Sequence, residues 1–198
     1  SSSRFLILNM QPLFQTRSTN VTPEVRNPDT KVVTHAQAIH INMGDVVLDN
    51  SAFAVPDTPP GDFDGEPLRP YNVRPAALLF NYRSVTYTFM PDVAAGVARV
   101  KADPALAGTF IDATVPLSAG PCADWRAALK ASFEPGATRF AGSYATACGE
   151  MAWPVADPVP ATYEARLLEA LWRDMGGLLH GSVREGLLEL CLGEVQLC

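Results

Sequence analysis

Between Leu78 and Met90 the chain is rich in aromatic and β-branched residues, the composition of a pleated, half-buried strand. The pattern changes at Pro91 and Asp92. Proline suits a first helical turn, and a carboxylate suits the positive end of the helix dipole. Val93, Val97 and Val100 then follow at helical spacing, so the periodicity predicts a helix. Asp103 precedes Pro104, and Gly108 suits the turn that follows. From Thr109 to Val115 alternation returns, with Phe110, Ala113 and Val115 as predicted core residues. Residues 76–117 therefore read as a central strand-helix-strand unit, with a right-handed crossover if its strands are parallel.

Upstream the pattern is weaker. Phe5 to Met10 reads as a short edge strand ended by Pro12, and the polar residues of 11–31, with Pro23 and Pro28, read as an extended arm. Lys31 to Leu48 predicts a hairpin turning at Met43-Gly44-Asp45. Residues 49–75 carry Pro56, Pro59, Pro60, Pro67, Pro70 and Pro75, and a loop of that length marks function, a linker or docking against a partner. Downstream, Trp125 and Leu129, with Ser132 or Phe133, define one face of a short helix that ends by Glu134-Pro135-Gly136. Thr138 to Thr146 reads as extended, with Glu150 to Val155 as its expected pairing partner. Leu168, Leu171, Trp172, Met175, Leu178 and Leu179 form the apolar stripe of a C-terminal amphipathic helix, which Gly176 and Gly177 bend or stop. Residues 186–198 fit helix and strand equally. The fold class read from these elements is α+β, a mixed sheet in a single domain spanning 1–198, with a β-rich, Pro-rich N-terminal half.

Composition narrows the partners. The formal charge of −6 and the lack of a basic run argue against nucleic acid. No apolar run has the length of a bilayer span, so a soluble protein without membrane insertion is the expectation, with virion or cytoplasm favoured as its location and secretion left open. Charged residues make up 18% of the chain against roughly 25% in ordinary soluble domains, which leaves less surface obliged to face water. Cys122, Cys148, Cys191 and Cys198 form no CxxC and no zinc spacing, and reduced, mostly buried thiols are the expectation for a chain of this size. Asn20-Val21-Thr22 has the form of a glycosylation sequon, with meaning only in a eukaryotic secretory setting.

Candidate chemistry is sparse. His35 and His40 are five apart on a predicted strand and so point to opposite faces. His180 lies near a helix C-terminus, where a cation is at home without catalysis. Asp62 and Asp64, with Glu66, have the spacing of a hard-cation turn but lack the remaining ligands of an EF-hand, a solvated acidic turn being the expectation. Ser143 sits in Ala141-Gly142-Ser143-Tyr144-Ala145, a faint likeness to a nucleophile elbow without the following helix. Cys122 in a first helical turn, one turn before Arg126, would have a lowered thiol pKa. No Gly-rich phosphate loop, HExxH or paired CxxC is present, and no catalytic, cofactor or metal residue is assigned. The expectation is a non-enzymatic structural or assembly subunit of a larger particle, such as a phage or viral capsid or tail component, contacting other protein subunits. The alternatives are a small hydrolase using Ser143 or a cysteine with His35 or His40, a cation-dependent enzyme at Asp62 and Asp64, and a peptide- or sugar-binding module using residues 49–75.

Overall fold

A computed structural model describes residues 42–52 and 54–187. Phe5–Met10, the arm 11–31, Asn20, His35, His40, Cys191, Cys198 and the ambiguous tail from 188 onward lie outside the described residues. The fold is α+β, with short helices set against several small sheets. Its central element is β3 (Ser84–Asp92), which forms a hairpin with β4 (Val97–Asp103). The helix expected across Pro91 to Val100 is therefore replaced by a turn and a strand. Gly96 takes a positive φ of 69°, Asp92 accepts a hydrogen bond from the Ala95 N–H at 3.1 Å, and Arg99 reaches back to Asp92 at 2.7 Å. Beyond that turn, Ala98, Val100 and Ala102 face the core at period two, and cross-strand pairing outweighs the helical spacing of the valines.

The main sheet continues with β6 (Thr114–Ser118), β9 (Tyr144–Ala145) and β10 (Met151–Ala156), in the order β10-β3-β4-β6-β9. β4 lies between β3 and β6 and pairs antiparallel with both, so the link between the two expected strands is an in-sheet strand where a crossover helix is the expectation. β10 pairs with β3, whereas the sequence reading paired Glu150 to Val155 with Thr138 to Thr146. Instead β8 (Ala137–Phe140) pairs with β7 (Ala131–Glu134) around Pro135-Gly136, and with β5 (Phe110–Ile111), to make a second sheet of three strands.

The core lies where that small sheet and α1 (Trp125–Leu129) cover the inner face of the main sheet. Phe89 is fully buried at its centre, with the rings of Phe140, Tyr144 and Trp125 at 5.1, 5.5 and 5.6 Å. Tyr87 joins the two sheets by a 2.9 Å hydrogen bond between its hydroxyl and Thr138 Oγ1, and burial pushes that phenol's pKa up. Of the residues expected inside from 109–115, Val115 is buried, but Phe110 and Ala113 are exposed: in β5 it is Ile111 that packs against the core, and the Phe110 ring lies under the Arg139 guanidinium at 5.0 Å.

α1 is one turn and a half, shorter than expected, and buries Trp125 and Leu129 as their spacing predicts. Asp124 caps it by accepting from the Ala127 N–H, and Lys130 ends it in the left-handed region. Against that end, Gly142 packs so closely that a Cβ there would stand 1.9 Å from the Ala128 carbonyl oxygen. Cys122 and Cys148 are joined in a disulfide, which corrects the expectation of free thiols for this pair. The bridge ties the approach to α1 to the connection between β9 and β10. Closing a loop of this length stabilises a fold by about 3 kcal/mol through the unfolded chain's lost freedom.

α2 (Tyr163–Asp174) stops at Gly176, whose φ is 79°. Its buried face is Tyr163, Glu164 and Leu167, one turn earlier than the stripe read from the leucines, and Leu171, Met175 and Leu178 are exposed. Of the hairpin expected over Lys31 to Leu48, the part before Asn42 lies outside the described residues, and the two described strands on either side of Gly44-Asp45 do not pair with each other. β1 (Asn42–Met43) pairs parallel with β11 (Leu178–Leu179), and β2 (Val46–Leu48) pairs parallel with β12 (Val183–Glu185). Asp45 holds that arrangement by accepting from the Ser182 N–H at 2.8 Å.

Candidate functional site

The proline-rich segment leading into β3 is folded upon itself. Gly65, at a positive φ of 78°, donates its N–H to the Gly61 carbonyl at 2.8 Å, closing a tight turn. Asp64 is the hub of that turn: it accepts from the Glu66 N–H at 2.9 Å, the Tyr71 hydroxyl at 2.8 Å and the Asn72 amide at 2.7 Å. Arg74 clamps the earlier part through Asp57 at 2.6 Å and the Pro56 carbonyl at 2.7 Å. Leu68 packs against the core and its carbonyl accepts from the Ala156 N–H at the end of β10. Asp64 thus serves as an acceptor for its own loop, and Asp62 stays exposed. Among the described residues no group of three or more His, Cys, Asp or Glu is placed to hold a metal ion.

Desolvation by the surrounding turn opposes ionisation of the exposed Asp64, but its three hydrogen-bond donors and the nearby Arg69 hold its carboxyl below the ordinary carboxylate range. The same hydrogen bond raises the pKa of the Tyr71 phenol. A carboxyl whose folded pKa is depressed stabilises the fold above its unfolded value, and that contribution is lost as pH falls through the folded one. The Tyr71 ring resonances are therefore expected to shift sigmoidally as acid protonates Asp64, with a midpoint below the ordinary value of 3.8. Asp64→Ala is expected to abolish that step, and an NMR titration giving a midpoint above 3.8 would contradict the hub role.

The turn that ends this segment is unusual. Asn81, Tyr82 and Arg83 all have positive φ, at 45°, 50° and 45°, a run that costs roughly 1–2 kcal/mol per residue outside glycine. It is why β3 begins at Ser84, although the residues from Leu78 onward have strand composition. Surrounding bonds hold it. The Asn81 amide donates to the Ser84 carbonyl and the Ser84 hydroxyl to the Asn81 carbonyl, each at 2.8 Å. Arg83 Nε donates to Glu164 Oε1 at 2.7 Å, and the Tyr163 hydroxyl donates to the Ser84 carbonyl. The turn directs Tyr82 outward at 67% exposure, with Phe80 beside it at 39%. The 3-10 turn Pro70–Asn72 packs alongside, carrying Tyr71 at 68%, and Phe63 stands at 86% on the preceding loop. Strand composition hides Phe80 and Tyr82 as core residues; the polar triplet Asn81, Tyr82, Arg83 was the available signal of a break.

The other sequence candidates do not converge. Ser143 is half-buried between β8 and β9, with its N–H donated to the Ala128 carbonyl at 3.2 Å and a 3-10 turn, Thr146–Cys148, where a nucleophile elbow needs a helix. Cys122 lies before α1 and its sulfur is spent in the disulfide, as is that of Cys148, so neither is a thiolate nucleophile. His180 is exposed just after β11. Two hollows border the Pro-rich segment. One, of about 520 Å³, lies between Arg69 and α1 and includes Arg126, Lys130 and Trp153. The other, of about 340 Å³, is lined by several prolines with Arg74, Arg83 and Asp157.

No family model and no curated protein sequence matches this chain. Among solved structures, penicillin binding protein 4 (dacB) from Haemophilus influenzae is similar over 72% of this chain, with 16% identity and a TM-score of 0.46. This chain spans 31% of that protein's length. Among the described residues no helix is long and apolar enough to cross a membrane.

Proposed function

We propose that this chain is a non-enzymatic protein-contact subunit, and that Phe63, Tyr71, Phe80 and Tyr82 form its contact face. A capsid or tail component is one assembly such a subunit would serve. The observation that carries the reading is the pairing of exposed aromatic rings with a backbone already fixed by its own hydrogen bonds. Tyrosine and phenylalanine on a preorganised surface give large contact area at small ordering cost, which is what interface hot spots require. A left-handed turn kept at a cost to stability, with its ring held outward, supports the same reading.

The test is site-specific photocross-linking in the producing cell. A photoreactive phenylalanine at position 82 is expected to give one discrete protein adduct, and the same group at Lys101, exposed on β4, to give none. Equal adducts at both positions, or none at 82, would remove the contact face.

A further inference from the structure

The hollow of about 520 Å³ beside α1 concentrates positive charge on a chain whose formal charge is −6. Arg69, Arg126 and Lys130 line it, with Trp153 as apolar wall. Asp124 is the carboxylate among the lining residues, and its Oδ1 is engaged as the cap of α1, accepting from the Ala127 N–H at 3.1 Å. Arg126 is positioned by rings and not by an acid: its guanidinium carbon stands 4.7 Å from the Trp125 ring and 5.7 Å from the Trp153 ring. A guanidinium stacked on indole keeps its N–H fork free for a planar oxyanion. Arg69 faces Glu66 at 3.8 Å, with both side chains about half exposed, a pairing of little strength that a better acceptor displaces. Lys130 holds the left-handed position at the end of α1, where glycine is the unstrained residue.

From this geometry we infer that the hollow binds an acidic segment of a partner protein, through two or more neighbouring Asp or Glu carboxylates. Forked guanidiniums match carboxylates, and the Trp153 ring offers apolar surface to the methylenes that carry them. The overall negative charge repels a long polyanion while three converging cations attract a short acidic stretch locally. Arg69 immediately precedes the Pro70–Asn72 turn, so the hollow borders the aromatic face, and one partner chain would reach both. The inference rests on the protein-contact reading and supplies the partner's chemistry.

The experiment is a calorimetric titration of the full chain with N-acetylated, C-amidated hexaglutamate at low ionic strength. Saturable binding is expected, weakening as salt is added. Arg126→Gln and Lys130→Gly are each expected to weaken it about five- to tenfold, the loss of one charge-assisted contact. Lys130→Gly removes the ammonium while relieving the backbone, so an unchanged or raised melting temperature separates lost binding from lost folding. Tyr82→Ala is expected to leave hexaglutamate affinity unchanged. Absence of saturable binding overturns the inference, as does binding indifferent to both charge variants. Tighter binding of inorganic phosphate or heparin with the same variant dependence overturns the peptide assignment in favour of a phosphate or polysaccharide site. If hexaglutamate fails while the position-82 adduct forms, this inference alone falls; if the adduct fails while hexaglutamate binds with the expected variant dependence, the hollow binds carboxylates but its assignment to a partner protein falls with the contact face.

Discussion

Gly142→Ala is expected to lower the melting temperature by about 6–12 °C, corresponding to about 3 kcal/mol in a domain of this size. The added methyl would stand 1.9 Å from the Ala128 carbonyl oxygen and 2.7 Å from the Leu129 carbonyl carbon. Both are backbone atoms, so no side-chain rotation relieves the overlap. Separation of the segments would stretch the hydrogen bonds from the Gly142 N–H to Leu129 and from the Ser143 N–H to Ala128, 2.9 and 3.2 Å long. Leu129 and Tyr144 on either side are fully buried, so the displacement reaches the aromatic core. Gly44→Ala is the control, since a Cβ there meets nothing within 4 Å. Calorimetric melts of the two variants decide the matter, and a Gly142→Ala transition within about 2 °C of the parent would mean that α1 and the β8–β9 connection do not pack as described.

Arg83→Met is expected to cost about 3–5 kcal/mol, the usual penalty for stripping the partner from a buried ion. Glu164 is 1% exposed, Arg83 supplies the donor to its Oε1, and its Oε2 has no hydrogen-bond partner. The variant would leave the carboxylate inside the protein without compensation. Pairing it with Glu164→Leu is expected to restore most of the loss, because removing both charges removes the desolvation penalty as well. Urea titrations of the parent, the single and the double variant form the test. A single variant as stable as the parent would mean that water reaches Glu164, and a double variant no better than the single would place the cost in the backbone turn. Since Arg83 closes the left-handed turn, the single variant is also expected to release Tyr82 from its fixed position.

Much of the local structure was legible because it depends on neighbours in sequence. The strand composition before Pro91, the inward pair Trp125 and Leu129, and the halt of α2 at its double glycine all follow from propensity and period, whereas Ser132 and Phe133, expected on the helix that ends at Glu134-Pro135-Gly136, lie in β7. The errors arise where two periods fit the same residues. Val97 and Val100 suit a helix, yet Ala98, Val100 and Ala102 suit a strand, and the open partner edge of β3 decides between them. Alanine is too small to advertise a core position, so the deciding pattern was faint. Long-range pairing was illegible for a different reason: nothing near Val46 announces Val183, and nothing near Cys122 announces Cys148. The contact face was half legible. Six prolines marked residues 49–75 as special, but seeing Asp64 as the organiser of its turn, where a solvated acidic turn is the expectation, needed Tyr71 and Asn72 to be placed in space.

The parallel ribbons joining residues 42–48 to residues 178–185 have a consequence for biosynthesis. Asp45 must wait for Ser182, 137 positions later, before its hydrogen bond forms. At ribosomal speeds of roughly 5–20 residues per second that is a delay of roughly 7–27 s. During that interval the early strands emerge with unpaired edges, and the nascent polypeptide depends on chaperone cover or on rapid closure of the β3–β4 hairpin to avoid mispairing.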